Sequence, residues 1–244
     1  MQLPEKYFHK RLNSTNLYVS QMLENHDGTE SFWVRTADQF AGRGQGDHTW
    51  SSDPGSNLTG SLAVFPDRFP ASRQFDLSKA FALAGASFLE LYLGHITIKW
   101  PNDLYAGDKK IGGILIETAI MGEHIRHAVL GIGININQLT FPKDLPNPVS
   151  ISLLTGMHYD LTEMEDLFLE SFRKQYHLIE SGDLNSLDKQ YVNRLYRFGE
   201  WADYKSEDKI FNAKILGINA FGHLTLQPRS GAPQSFAFQE IDFL

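Results

Sequence analysis

With 244 residues and 42% hydrophobic content, the chain can bury a sizeable core, as one large domain or as one large domain with a small one. A formal net charge of −7 argues against a protein whose main partner is the nucleic-acid backbone, and the lack of cysteine excludes disulfides, thiolate metal sites and sulfur nucleophiles. No apolar run approaches a membrane span and the start of the chain has no basic-then-apolar leader pattern, which predicts a soluble, cytoplasmic protein.

Leu12-Asn13-Ser14-Thr15-Asn16 precedes a short amphipathic segment with Leu17, Met22 and Leu23, so one of these polar residues is a candidate helix cap. Ser31 to Thr36 reads as a strand that runs on to Gln39. The next segment, Gly42-Arg43-Gly44-Gln45-Gly46-Asp47-His48-Thr49-Trp50, has alternate glycines whose N–H groups can approach a phosphate or carboxylate. Without ligand these glycines predict a mobile surface loop. It lacks the lysine-serine pair of a phosphate-cradling P-loop.

Leu58 to Val64 alternates as a strand with one buried face. A long helix follows, with Asp76 as candidate cap and Leu77, Phe81, Ala84, Phe88 and Leu91 as a core-facing stripe.

Between Thr97 and Glu117 the pattern becomes chemically unusual. Ile96 and Ile98 alternate with Thr97 and Lys99, Pro101 stops regular pairing, and the bend Trp100-Pro101-Asn102-Asp103 aims Lys99 and Asp103 into one space. Gly107-Asp108 reads as a hairpin turn, and the return strand Ile111 to Ile116 carries Gly112 and Gly113 where a ligand or backbone must come close. A solvated surface hairpin fits the spacing equally well.

His124 and His127 lie on an alternating strand as a solvated pair, and no metal-ligand spacing is found. Gly131-x-Gly133 follows a strand, but no third glycine, helix or closing acid makes it a dinucleotide fingerprint. Asn135 and Asn137 share a face of this extended run, so at least one can aim its amide at a nucleotide. Thr162-x-x-Glu165 reads as a capping box for a helix with Met164, Phe168, Phe172, Tyr176 and Ile179 inward, and a second helix spans about Leu184 to Leu195. Beyond Arg197, short alternating strands punctuated by glycine predict a small β-barrel.

Lys99-Trp100-Pro101-Asn102-Asp103 followed by Gly112-Gly113-Ile114-Leu115-Ile116-Glu117 resembles the signature of the biotin protein ligases. Gly42-Arg43-Gly44 with Trp50 resembles that family's adenylate loop, and Gly131 to Asn137 its asparagine-bearing strand. The likeness covers nearly the whole chain. It implies an α+β fold, a mixed β-sheet flanked by helices of the class II aminoacyl-tRNA synthetase-like, biotin/lipoate ligase type. Residues 1–197 would form this catalytic unit and 198–244 a small carboxy-terminal SH3-like β-barrel.

The resemblance implies ATP-dependent attachment of biotin to a lysine of a biotin carrier domain of an acetyl-CoA carboxylase, through biotinyl-5'-AMP, with Mg2+. It assigns Lys99, Arg43 and Asp103 to catalysis, Asp103 orienting either the incoming amine or a magnesium-bound water. Biotin would meet Ser14, Thr15, Asn16, Gln39, Gly42, Arg43, Gly44, Gln45, Lys99, Gly113 and Ile114. The nucleotide would meet Arg43, Trp50, Lys99, Asn102, Asn135 and Asn137, although Trp50 also reads as a core residue. Gln45, Asp47 and His48 make the loop less basic than in relatives with further arginines, and too few residues precede Ser14 for a helix-turn-helix domain, so no DNA binding is expected. A lipoate or octanoate ligase and a non-catalytic biotin-binding module are the alternatives. Oligomeric state stays open.

Overall fold

The computed structural model describes residues 2–24, 30–46 and 48–244. In chain order the elements are β1 (Glu5–Leu12), α1 (Thr15–Glu24), β2 (Phe32–Gln39), β3 (Gly42–Arg43), β4 (Thr49–Trp50), β5 (Leu58–Val64), α2 (Phe75–Leu89), β6 (Ile96–Lys99), β7 (Asp103–Ala106), β8 (Lys109–Met121) and β9 (His124–Ile134). They continue as α3 (Ile151–Thr155), α4 (Leu161–Glu180), α5 (Leu184–Asn193), β10 (Trp201–Ser206), β11 (Lys209–Ile218), β12 (Leu224–Pro228), β13 (Gln234–Phe236) and β14 (Asp242–Phe243). Seven strands form one mixed sheet in the order β1-β2-β5-β9-β8-β7-β6, parallel only between β1 and β2.

Alternation along the central strands sends side chains to two separate apolar clusters. Trp33, Leu58, Leu62 and Val64 face α2 and α4, while Phe32, Val34, Ala63 and Val129 pack with Val19 and Leu23 of α1 on the opposite side. β5 is therefore buried at all seven positions, not on the single face its alternation predicts. A strand in the middle of a two-sided layer keeps its period but loses its exposed face.

Three helix expectations also change. α2 is entered through a short 3-10 turn with Gln74 as cap and no side-chain cap bond. Asp76 lies in the first turn, ion-paired to Lys79 at 2.9 Å and Arg73 at 2.8 Å. Leu91 lies past the helix end and is exposed, because α2 is covered nearly all round and needs no single stripe. The cap of α4 is Asp160, whose carboxylate accepts from the N–H groups of Thr162 and Glu163 and is held below the usual range by them. Glu165, the supposed capping-box acid, is buried, accepts from the Trp33 indole N–H and stands 3.3 Å from Arg35.

The expected carboxy-terminal barrel is a five-stranded antiparallel sheet in the order β13-β12-β11-β10-β14, consistent with an SH3-like unit. No ladder joins β13 to β14 among the described residues. Its Tyr204, Ile215, Leu224 and Leu226 belong to the same apolar cluster as α2 and β6. Trp100, in the bend after β6, donates its indole N–H to the Gly222 carbonyl at 2.9 Å, and so ties that bend to the second sheet.

Candidate active site

Cross-strand register makes one straight row of Lys99, Asp103, Gly113, Gly133 and Thr59 across β6, β7, β8, β9 and β5. The neighbouring row is Leu115, Gly131 and Ser61. The glycines leave the middle of this floor without side chains, and a cavity of about 510 Å³ lies over it. Nothing in the local sequence of any one strand reveals this alignment.

At one end stands the start of α1. Gln39, the last residue of β2, accepts the Thr15 N–H at 2.9 Å, supplying the cap that a helix start needs. Ser61 Oγ lies 2.7 Å from Thr15 Oγ1 and 2.6 Å from Asn16 Oδ1. Asn16 sits so close to the sheet that a β-carbon at Gly131 would fall 2.0 Å from its Oδ1. Ser14, Thr15, Asn16 and Gln39 all line the cavity.

The other end is cationic. Lys99 lies between the rings of Tyr105 and Phe243, its Nζ 5.4 and 5.3 Å from their centroids. Burial pushes its ammonium below the usual range, partly offset by Asp103. Asp103 is ion-paired at 2.6 Å to Lys110, a second cavity lysine that the sequence reading did not single out. A register shift in the β7–β8 ladder pairs Leu104 with Gly112 but Tyr105 with Lys110, so both Ile111 and Gly112 turn to the core. This bulge brings Lys110 onto the pocket face.

The glycine-rich segment is a short hairpin, with Gly42 opposite Trp50 and Arg43 opposite Thr49, and not a loose loop. Gly42 forms its root and does not line the cavity; a β-carbon there would lie 2.3 Å from the Trp50 carbonyl. Arg43, Gly44 and Gln45 do line it, and Arg43 pairs with Glu117 at 3.0 Å. Asp47, counted above among the residues that make this segment less basic, lies outside the described residues. The Trp50 indole lies against Gly133, where a β-carbon would meet the ring at 2.3 Å. Trp50 Nε1 and Thr59 Oγ1 are buried without a hydrogen-bond partner among the described residues, leaving a donor and a hydroxyl at the cavity wall.

The asparagines divide. Asn102 exchanges two 2.9 Å bonds with the backbone of Ile114, locking the bend to β8 at the cavity edge. Asn135 also lines the cavity, donating to the Val149 carbonyl at 3.0 Å. Asn137 does not reach the cavity. β9 ends at Ile134, so strand alternation no longer applies, and its amide instead binds Tyr159 and Ser152. Sequence reasoning missed Thr59, Lys110 and Phe243, which line the cavity, and Ser61 and Glu117, which stand behind it in contact with Asn16, because only tertiary packing brings them there.

Among the described residues no group of three acidic or histidine side chains could hold a metal ion. Among the described residues the cavity carboxylates are Asp103, already paired with Lys110, and Asp242. These donors do not make a protein-held magnesium site.

The profile of the biotin/lipoate A/B protein ligase family matches residues 8–135, the span that supplies every strand of this floor. The chain belongs to that family. This ligase is 29% identical to the biotin–[acetyl-CoA-carboxylase] ligase of Paracoccus denitrificans, over 91% of the chain and 93% of the relative. It is also 29% identical to the bifunctional ligase/repressor BirA of Bacillus subtilis, over 94% of the chain and 71% of the relative. The biotin protein ligase of Aquifex aeolicus, solved in complex with biotin and ATP, superposes with a TM-score of 0.80 at 21% identity, covering 98% of this chain and 97% of that one. That likeness establishes the biotin protein ligase fold.

Proposed function

We propose that this ligase joins biotin to a lysine of a biotin carrier domain, using ATP to make biotinyl-5'-AMP. The observation that carries the reading is the single floor on which a hydroxyl-and-amide end, Ser14 to Asn16 with Gln39, faces a cationic end, Lys99 and Lys110. One end suits an uncharged polar ring and the other suits an acid and phosphates.

A carboxylate does not acylate an amine at neutral pH. Its oxygen attacks the α-phosphorus of ATP, a new P–O bond forms, and the bond to pyrophosphate breaks. The carrier amine, as the free base, then attacks the acyl carbon, AMP leaves with the electron pair of the broken C–O bond, and the nitrogen gives up one proton to water. Both steps gather charge on oxygen, so the protein's part is alignment and fixed positive charge. Lys99 and Lys110 supply that charge from the floor and Arg43 from the hairpin above it. The flat face of Trp50 serves the adenine, and Asp103 holds Lys110 in place. A magnesium ion that accompanies ATP would be held by phosphate oxygens and water. The setting is the cytoplasm, where ATP and carboxylases meet; no helix among the described residues is long and apolar enough to cross a membrane.

Pyrophosphate exchange measured with biotin, lipoate and octanoate tests this reading. Exchange with biotin alone is expected. Exchange with lipoate or octanoate in its place assigns the other branch of the family, and binding of biotin without exchange makes the chain a binding module. The KWPND bend tied to the second sheet through Trp100 favours biotin.

A further inference from the structure

Glu117 lies on β8 two residues beyond Leu115, on the face that carries Gly113. Its carboxylate has partners in two separate parts of the site. Oε1 stands 3.0 Å from the Arg43 guanidinium, and Oε2 accepts from Asn16 Nδ2 at 2.9 Å.

The same Asn16 nitrogen donates to the Leu115 carbonyl at 3.2 Å. A carboxylate and a carbonyl only accept, so the orientation of the amide is settled by chemistry and Asn16 Oδ1 must face Ser61. Ser61 has one hydroxyl hydrogen, and it goes to Asn16 Oδ1, 2.6 Å away, because that oxygen cannot donate. The 2.7 Å contact between Ser61 and Thr15 then needs the Thr15 hydrogen. Gln39 Oε1, at 3.2 Å from Thr15 Oγ1, is the more distant competitor for it and already holds the Thr15 N–H. Thr15 is left with lone pairs alone to present to the cavity.

We propose that Glu117 is a positioning residue: together with the Leu115 carbonyl its charge holds the Asn16 amide that directs this hydrogen-bond chain, and it ties Arg43 to that chain. The inference rests on the biotin reading above. The ligand class served at Thr15 is an N–H donor, such as a ureido group, and the hairpin that carries Arg43 is energetically linked to that end of the cavity. If Arg43 leaves Glu117, the chain from Asn16 to Thr15 loses its anchor's counter-charge.

The test is calorimetric titration of biotin, without ATP, into the wild type, Glu117→Gln, Arg43→Ala and the double variant. Glu117→Gln is expected to weaken biotin binding about tenfold, the size of an ordinary charge-assisted bond, and to raise the biotin KM but not the ATP KM in exchange. Arg43→Ala is expected to weaken biotin binding in the wild-type background and to add nothing in the Glu117→Gln background. Ser61→Ala by itself breaks the chain between Asn16 and Thr15 and should weaken biotin binding with the ATP KM unchanged; it keeps the test decisive should the Glu117 variants fold poorly, and wild-type biotin binding by Ser61→Ala overturns the inference. A Glu117→Gln protein that binds biotin as the wild type does, or an Arg43→Ala effect of equal size in both backgrounds, overturns the inference alone. A wild type that binds no biotin overturns the biotin reading and the inference together.

Discussion

Adding one methyl group at Gly131 should remove much of the biotin affinity while leaving the ATP end alone. A β-carbon there falls 2.0 Å from Asn16 Oδ1, 2.9 Å from its Cγ and 3.2 Å from its Nδ2, where ordinary contact begins at 3.4 Å. β9 cannot yield, because Gly131 is paired to Ser61 on one side and to Leu115 on the other. The Asn16 amide must therefore retreat by more than an ångström, out of reach of Ser61, the Leu115 carbonyl and Glu117. Two neutral bonds and one to a charged group are worth about 3–5 kcal/mol together. Water at the cavity edge recovers part of this, so a net loss of about 2–3 kcal/mol is expected, or about 30- to 150-fold in biotin Kd. Overpacking costs a further ~1–3 kcal/mol of global stability, a fall in Tm of roughly 2–10 °C for a chain of this size. Calorimetric titration of biotin below the melting temperature reads the first number and a thermal melt the second, with the ATP KM as internal control. A folded Gly131→Ala protein with wild-type biotin affinity would refute the placement of Asn16 in the biotin pocket.

Two residues along the same strand, Gly133→Ala should push the Trp50 indole off the floor and raise the ATP KM about tenfold with a smaller change for biotin; equal losses would place Trp50 between the two ligands. Lys99→Ala and Lys110→Ala should each slow pyrophosphate exchange at least about tenfold, the loss of one charge-assisted contact, and a variant within threefold of wild type is removed from the chemistry. Glu165→Ala strands the Trp33 N–H and the Arg35 guanidinium in the core and should cost about 3–5 kcal/mol by urea denaturation, with a loss under about 1 kcal/mol contradicting the buried pair. Burial pushes the Tyr204 phenol up to about 12 from its ordinary value of 10.0, so folding favours the neutral form. That contribution is intact below pH 10.0 and is lost as pH rises from there through about 12, so Tyr204→Phe should flatten the alkaline fall of the denaturant midpoint; an unchanged slope would show that Tyr204 titrates normally.

The sequence by itself determined much that depends on neighbours along the chain. It marked Ile96 to Lys99 and the bend at Pro101 as a unit, the glycines of β8 as a point of close approach, the start of α1 as a polar end, and the change to short strands after Arg197. The Lys99 and Arg43 motifs named the family. Each of these is a local signal: a period, a turn residue or a short motif.

Tertiary structure alone decided which of these elements face one another. Lys99 and Thr59 are 40 positions apart in the chain, yet both belong to one row because five strands pair in a single register. Lys110 carries no mark in the sequence, and only the bulge at Ile111 and Gly112 turns it to the pocket. Asn137 reads as a site residue until β9 ends at Ile134 and its amide is taken by Tyr159 and Ser152. Glu165 reads as a cap until the sheet brings Trp33 and Arg35 against it. The physical reason is the same throughout. Side-chain alternation and capping chemistry act within a few residues, whereas strand register, bulges and two-sided burial are set by pairing energies between segments distant in sequence, which no local pattern carries.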